Sequence, residues 1–204
     1  MAFLRSTRPD EDLEVIRGQT LTLRQPAISD YAEWAELRAL SRAHLTPWEP
    51  TWAYDDLARS MYRRRLRAYA NDIRDDASYP YFIFEAATDK LIGGITLSNV
   101  RRGSAQTASL GYWMGAPFAG RGHMRAAVET LMPVAFTMLR LHRIEAATML
   151  SNVASIRVLE SSGFTQEGLA RAYLKINGHW EDHLLYARVG NAPLSPAPRQ
   201  GGEA

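Results

Sequence analysis

Apolar positions recur with two periods along this chain, and the switches between them mark its elements. Thr20-Leu21-Thr22-Leu23-Arg24 alternates with period two and closes at Pro26, which predicts a first strand. From an N-cap at Ser29 or Asp30, Trp34, Leu37 and Leu40 or Ser41 share one face of a helix running to about Ala43. Pro47 and Pro50 break it within the stretch His44–Pro50. A second helix is predicted over about Asp55–Ile73, striped by Leu57, Met61, Leu66 and Tyr69 or Ala70. Strands then dominate. Tyr81–Ala86 and Leu91–Val100 pair across the turn Thr88-Asp89-Lys90, and the run Leu110–Met114 predicts a central strand. A turn-rich stretch with Gly115, Pro117, Gly120 and Gly122 leads into a helix-period segment from about Met124 to Leu141. Pro133 inside that segment predicts a kink, because the apolar pattern resumes at Val134, Phe136 and Leu139. Arg143–Met149 reads as a buried strand, and a short helix over Val153–Ser162 stops at a C′ glycine, Gly163. Leu169–Ile176 and Leu184–Val189 pair across Asn177-Gly178, a type I′ hairpin signal. The order β-α-α-β-β-β-α-β-α-β-β predicts an α/β fold, a mixed central sheet with helices on both faces.

Composition narrows the picture. With 204 residues and 46% apolar content the chain can bury one sizeable core, flanked by an N-terminal arm over residues 1–17 and a disordered tail over 191–204. The net charge of +2 argues against a dedicated nucleic-acid binder. Only Lys90 and Lys175 among the 24 basic residues are lysines, and Arg63-Arg64-Arg65 with Arg67 make one basic helical face, read as solvated. The absence of cysteine excludes disulfides, thiolate metal sites and a cysteine nucleophile. No apolar run reaches membrane-spanning length, so a soluble, cytoplasmic protein, monomeric or homodimeric, is expected.

The strand, glycine loop and helix start over residues 108–125 carry the first chemistry. Backbone N–H groups are free in a first helical turn and the macrodipole adds partial positive charge, so such a corner receives phosphate. Gly120 and Gly122 let the backbone come close to a ligand. A P-loop is excluded because His123-Met124 follows Gly122, and a dinucleotide fingerprint because Arg125 stands at the third glycine. The five histidines do not group with carboxylates at ligand spacing, so no metal is expected. A pyrophosphate cradle without a metal-binding hydroxyl suits a group carrier.

LGYWMGAPFAGRGHMRAA followed by RIEAATMLSNVASIRVLESSGFTQEG resembles the acetyl-CoA-binding half of the GNAT acetyltransferases. The family's loop, Gln/Arg-x-x-Gly-x-Gly/Ala, corresponds to Ala119-x-x-Gly122-x-Met124, and its Asn helix ending in Gly-Phe to Asn152 and Gly163-Phe164. Ala119 departs from the pattern, whereas methionine at the last loop place is familiar in the Rim-type branch. LTPWEP (45–50), SNVRRGS (98–104), LGYW (110–113) and YLKINGHWEDH (173–183) are similar to the ribosomal-protein-alanine N-acetyltransferases of that branch, so the resemblance covers residues 18–190.

The resemblance implies a GNAT fold and direct attack of an amine on acetyl-CoA, without a metal. The acceptor implied is a protein N-terminal α-amine, an alanine of a ribosomal protein. A small amine such as an antibiotic or polyamine is the alternative, and a non-catalytic protein binding acyl-CoA or a ribosomal particle is the third reading. Backbone groups near Tyr112, Trp113 and Met114 would align pantetheine. The amides of Ala119, Gly120, Arg121, Gly122, His123 and Met124, with Arg121 or Arg125, would hold the pyrophosphate, and Asn152 would contact the CoA arm. Many members place an acidic tyrosine seven residues after that asparagine, where this chain has Leu159, so Ser155 is expected to protonate the thiolate or else to cap its helix. Glu49 is the expected base, with Glu85, Asp182 and water as competitors, and Trp48, Tyr112 and Tyr173 would shape the acceptor groove.

Overall fold

The computed structural model describes residues 15–190, so most of the expected arm and the whole expected tail lie outside the described span. Strands are β1 (Val15–Arg17), β2 (Leu21–Arg24), β3 (Tyr79–Glu85), β4 (Leu91–Arg101), β5 (Thr107–Met114), β6 (Arg143–Met149), β7 (Thr165–Ile176) and β8 (His179–Val189). Helices are α1 (Tyr31–Leu40), α2 (Arg42–Leu45), α3 (Arg59–Arg74), α4 (His123–Pro133) and α5 (Val153–Ser161). One eight-stranded sheet has the order β1-β2-β3-β4-β5-β6-β8-β7. Every neighbouring pair is antiparallel except β5 and β6. The mixed α/β architecture is as the order of elements predicts.

Period-two alternation divides the core into two layers. Tyr81 and Ile83 of β3 pack with α4 residues Ala127, Val128 and Leu131, while Phe82 and Phe84 face Trp34, Leu37 and Tyr62 of α1 and α3. Helices therefore cover both faces. Tyr62 is fully buried and donates its hydroxyl to the Ala27 carbonyl, yet the predicted stripe of α3 omits it in favour of Met61. The polar hydroxyl on a large apolar ring hides such a residue from a purely apolar pattern.

Several boundaries differ from the sequence reading. Val15–Arg17, assigned to the arm, forms β1 and pairs with β2. The first helix stops at Leu40, which is exposed, and Ser41 is the buried alternative. The Ser41 Oγ accepts the Ala116 N–H at 2.9 Å, tying the end of α1 to the loop after β5. Asp30 does not cap with its side chain; it pairs with Arg24 at 2.7 Å and accepts the Ala27 N–H. The second helix begins at Arg59, four residues later than predicted. Beyond Pro133 the chain stays helical but widens into a π turn over Val134–Met138, closed by the Leu139 N–H donating to the Val134 carbonyl. Proline cannot donate to the preceding turn, and the change from α to π winding begins at the residue after it. Hairpin strands β7 and β8 are longer than predicted but turn where expected, with Asn177 and Gly178 at φ +43° and +88°.

Candidate active site

The site grows from the single parallel pairing of the sheet. β5 and β6 are bonded only through Thr107/Arg143, Ala108/Ile144 and Ser109/Glu145. Beyond that point β5 stays paired to β4 through Met114, and β6 stays paired to β8 through Met149, so the sheet forks. The fork leaves facing backbone edges of Leu110–Met114 and Ala146–Met149 without a strand partner. Such edges accept an extended ligand carrying amides, as an added strand would be accepted. A cavity of about 200 Å³ occupies the fork, lined among others by Trp48, Gly111, Tyr112, Asn152, Ser155 and His183.

At one end of the fork, β5 runs into the glycine loop. Gly120 (φ +73°) and Gly122 (φ +82°) both adopt the left-handed region, and a Cβ at either would meet only open space. The glycines are therefore needed for the turn and for an open approach, not for internal packing. Within the loop, Phe118 and Ala119 donate to Gly115 and Ala116, and the next backbone donor is Ala126, bonded to Gly122. The amides from Gly120 to Arg125 point to no backbone acceptor among these bonds, as the start of an 11-residue helix requires. His123 and Met124 open that helix, and Met124 anchors it with a buried side chain. Arg125 is held by Glu129 at 2.8 Å; Arg121 is exposed and has no ion pair among the described residues. An anion at this corner would meet free N–H groups, the positive helix end and a guanidinium.

Deeper in the fork, α5 supplies hydroxyl chemistry. Asn152 caps the helix, its Oδ1 accepting the Ser155 N–H at 3.1 Å. The Ser155 side chain does not cap; its Oγ lies 2.9 Å from the Tyr112 hydroxyl. Burial pushes the Tyr112 phenol up to about 12, with the Ser155 bond pulling the other way, so the proton stays on at neutral pH. The two hydroxyls form a neutral hydrogen-bonded pair. Leu159 is buried core and lines the cavity, so no phenol stands at that place. The side chains of Trp113 and Met114 pack against the two cores, which leaves their backbone as the part that can face a ligand. A Cβ at Gly94 would lie 2.4 Å from the Trp113 indole, so the glycine lets that ring lie flat on β4.

Glu49 is not the free loop carboxylate that the sequence suggests. Both its oxygens accept from the Arg38 guanidinium at 2.7 Å, and one also accepts the Trp52 indole N–H at 2.7 Å. Arg38, nearly buried, lies 4.2 Å from the Trp52 ring centre and 5.0 Å from that of Trp113. The Glu49 carbonyl accepts the Asn177 N–H at 2.9 Å. Glu49 thus fastens the 45–52 loop to α1 and to the β7–β8 turn, and its oxygens are already committed. The competing carboxylates stand elsewhere: Glu85 accepts from Thr88 in its turn, and Asp182 accepts the Ala172 N–H at 2.7 Å. Tyr173 is half exposed and meets His183 edge-on at 5.9 Å.

Two residues of this region escape the sequence reading, Arg38 and His183. Arg38 meets Glu49 eleven residues on and His183 the Glu181 carbonyl two residues back, but the approach of Arg38 to Trp113 and the burial of His183 are tertiary features. His183 did carry a signal, a polar residue at an inward position of β8 beside Leu184 and Leu185.

Residues 20–165 match the family described as the acetyltransferase (GNAT) domain. The chain belongs to the GNAT acetyltransferase family. It is 38% identical over 173 residues to the probable N-acetyltransferase YjcK of Bacillus subtilis, covering 85% of this chain and 96% of that one. It is 34% identical over 163 residues to the [ribosomal protein uS5]-alanine N-acetyltransferase of Escherichia coli, covering 78% and 84%. The solved structure of Mycobacterium smegmatis RimJ in complex with CoA-disulfide superposes with a TM-score of 0.80 at 32% identity, over 86% of this chain and 85% of that one. The GNAT fold and N-acetyltransferase activity follow.

Proposed function

We propose that this GNAT enzyme transfers the acetyl group of acetyl-CoA to the N-terminal α-amine of a protein, an alanine-initiated ribosomal protein. The observation that carries the acceptor class is the lining of the fork cavity. It contains aromatic, small and hydroxyl-bearing residues and no carboxylate, lysine or arginine. A polycationic amine needs acidic partners to offset its desolvation, whereas a peptide N-terminus with a small first side chain needs room and one proton acceptor. Similarity to the uS5-alanine N-acetyltransferase and to RimJ supports the same choice. Because a ribosomal protein N-terminus is exposed where ribosomes assemble, the enzyme of this reading is cytoplasmic.

In this reading the amides of Gly120 through Met124, with Arg121, hold the pyrophosphate, the expected Ala119 amide being spent on the Ala116 carbonyl, and the free edge of β5 at Tyr112–Met114 aligns the pantetheine. Asn152 shapes the cavity from the start of α5. Trp48 and Tyr173 border the acceptor side. The neutral amine attacks the thioester carbon, the C–N bond forms and the C–S bond breaks. The Tyr112–Ser155 hydroxyl pair passes a proton to the departing thiolate. Chemistry rests on alignment and proton transfer, without a covalent enzyme intermediate.

An α-amine, with an ordinary pKa near 8, is roughly one-tenth neutral at pH 7, while a lysine amine near 10.4 is almost wholly charged. The enzyme should therefore acetylate an alanine-initiated peptide at least about 100-fold faster than the same peptide N-terminally blocked and carrying a lysine. Mass spectrometry of both products checks this, and comparable rates, or spermidine outpacing the peptide, would sink the acceptor assignment.

A further inference from the structure

The proton leaving the acceptor amine needs a destination, and one side chain of the fork can take it. His183 is buried at 3% exposure, on the inward face of β8 opposite Met149 of β6, and lines the same cavity as Trp48, Tyr112 and Ser155. Its Nδ1 lies 2.9 Å from the Glu181 carbonyl oxygen. A carbonyl only accepts, so Nδ1 carries the hydrogen, and the neutral ring then has its lone pair on Nε2. Among the described residues His183 records no other hydrogen bond and no ion pair.

The geometry points to His183 as the catalytic base, its Nε2 accepting the proton of the acceptor ammonium at the mouth of the β5–β6 fork. The inference rests on the acetyl-transfer reading. None of the carboxylates that the sequence offers for this task lines the cavity: Glu49 is held by Arg38 and Trp52, Glu85 sits in its turn with Thr88, and Asp182 meets the Ala172 amide. Groups facing His183 from the packed elements are neutral: Tyr173 from β7, edge-on at 5.9 Å, Tyr112 from β5, and Asn152 and Ser155 from α5. On its own strand, Glu181 contributes its backbone carbonyl, and Asp182 is exposed and turned to β7.

The step balances. The ammonium holds two protons more than the amide product; one passes to Nε2 and from there to solvent. The freed lone pair forms the C–N bond as the C–S bond breaks. The nitrogen's second surplus proton reaches the thiolate through the Tyr112–Ser155 hydroxyls, giving CoA thiol. The Glu181 carbonyl fixes the ring and favours the imidazolium as it forms.

His183→Asn tests this cleanly, since the asparagine amide can still donate to the Glu181 carbonyl while offering no base. We expect kcat/KM to fall about 100-fold or more, with the melting-temperature rise on adding acetyl-CoA unchanged. The deficit of His183→Asn should narrow as pH rises past about 8, where the acceptor amine is already neutral without a base. Free imidazole should restore part of the rate to His183→Ala, and more basic methylimidazoles should restore more. Activity of His183→Asn within three-fold of wild type, or a loss of the same size at every pH from 6.5 to 9 with no imidazole rescue, overturns the assignment. Running each comparison with an alanine-initiated peptide and a simple alkylamine separates the two ideas. Failure of wild type on the peptide alone concerns the acceptor, whereas the ratio of variant to wild type on any accepted amine concerns His183.

Discussion

The ion pair between Arg38 and Glu49 fastens the 45–52 loop to α1, and its energetics differ from those of a surface bridge. Arg38 is nearly buried between two indole rings, so removing its partner strands a desolvated charge, a loss of about 3 kcal/mol or more. Glu49→Gln should therefore lower stability by about that much and raise KM for the acceptor peptide, because the 45–52 loop loses its fastening. Arg38→Met combined with Glu49→Leu should recover much of the stability without the activity; urea titration and steady-state kinetics read both. A Glu49→Gln enzyme as stable as wild type would mean that the pair contributes nothing net. On α5 the cap and the hydroxyl separate by residue. Asn152→Ala should cost about 1 kcal/mol through the lost cap, whereas Ser155→Ala keeps that bond, which uses its backbone N–H. Its deficit should appear in kcat with KM for acetyl-CoA little changed, and a pure stability loss would remove Ser155 from the proton path. The start of α5 was legible because a cap is local, whereas the roles expected of Asn152 and Ser155 came from the family resemblance. Arg38 and His183 were not legible, since charged and polar side chains are ordinarily exposed and nothing local marks these two as buried.

At the level of elements, the strand, loop and helix corner was the most legible part, for a physical reason. Gly120 and Gly122 are required by positive φ, and both signals sit within three residues of the helix they start. Gly122→Ala places a methyl in open space but in a left-handed backbone, so folding stability should fall by only about 1–2 kcal/mol. The same methyl stands where the pyrophosphate would approach, and binding should suffer more than folding does. The rise in melting temperature on adding acetyl-CoA should shrink sharply in this variant and vanish in Gly120→Asp, which adds a carboxylate there. Undiminished rises in folded variants would take the loop out of the donor site. Less legible were the ends of α1 and α3, where Ser41 and Tyr62 are buried by tertiary partners despite their hydroxyls. β1 is three residues long and edge-paired, too short for any periodicity to register.

For the molecule as a whole, the two cores share one vulnerability, a set of buried phenols. Tyr79 and Tyr112 are pushed up to about 12, Tyr112 by burial and Tyr79 by burial with Asp76 adding to it. Burial raises Tyr62 and Tyr81 further still. In the unfolded chain each phenol titrates near 10. Above that value the folded state therefore holds protons that the unfolded state has released, and stability must fall as pH rises from about 10 toward 12. Below pH 10 both states carry the protons, and this contribution is complete. Tyr81 isolates the effect, because its hydroxyl is buried with no hydrogen-bond partner among the described residues. An unsatisfied buried hydroxyl costs about 1–3 kcal/mol, so Tyr81→Phe, which leaves the ring in place, should stabilise the enzyme by about 1 kcal/mol at pH 7. Its advantage should then widen above pH 10, since one of the protons driving alkaline unfolding is gone. Urea titrations from pH 7 to 11.5 give both quantities from one pair of proteins. Parallel curves for variant and wild type across that range would mean that Tyr81 finds a partner or solvent in solution, and that the alkaline slope belongs to the other three phenols.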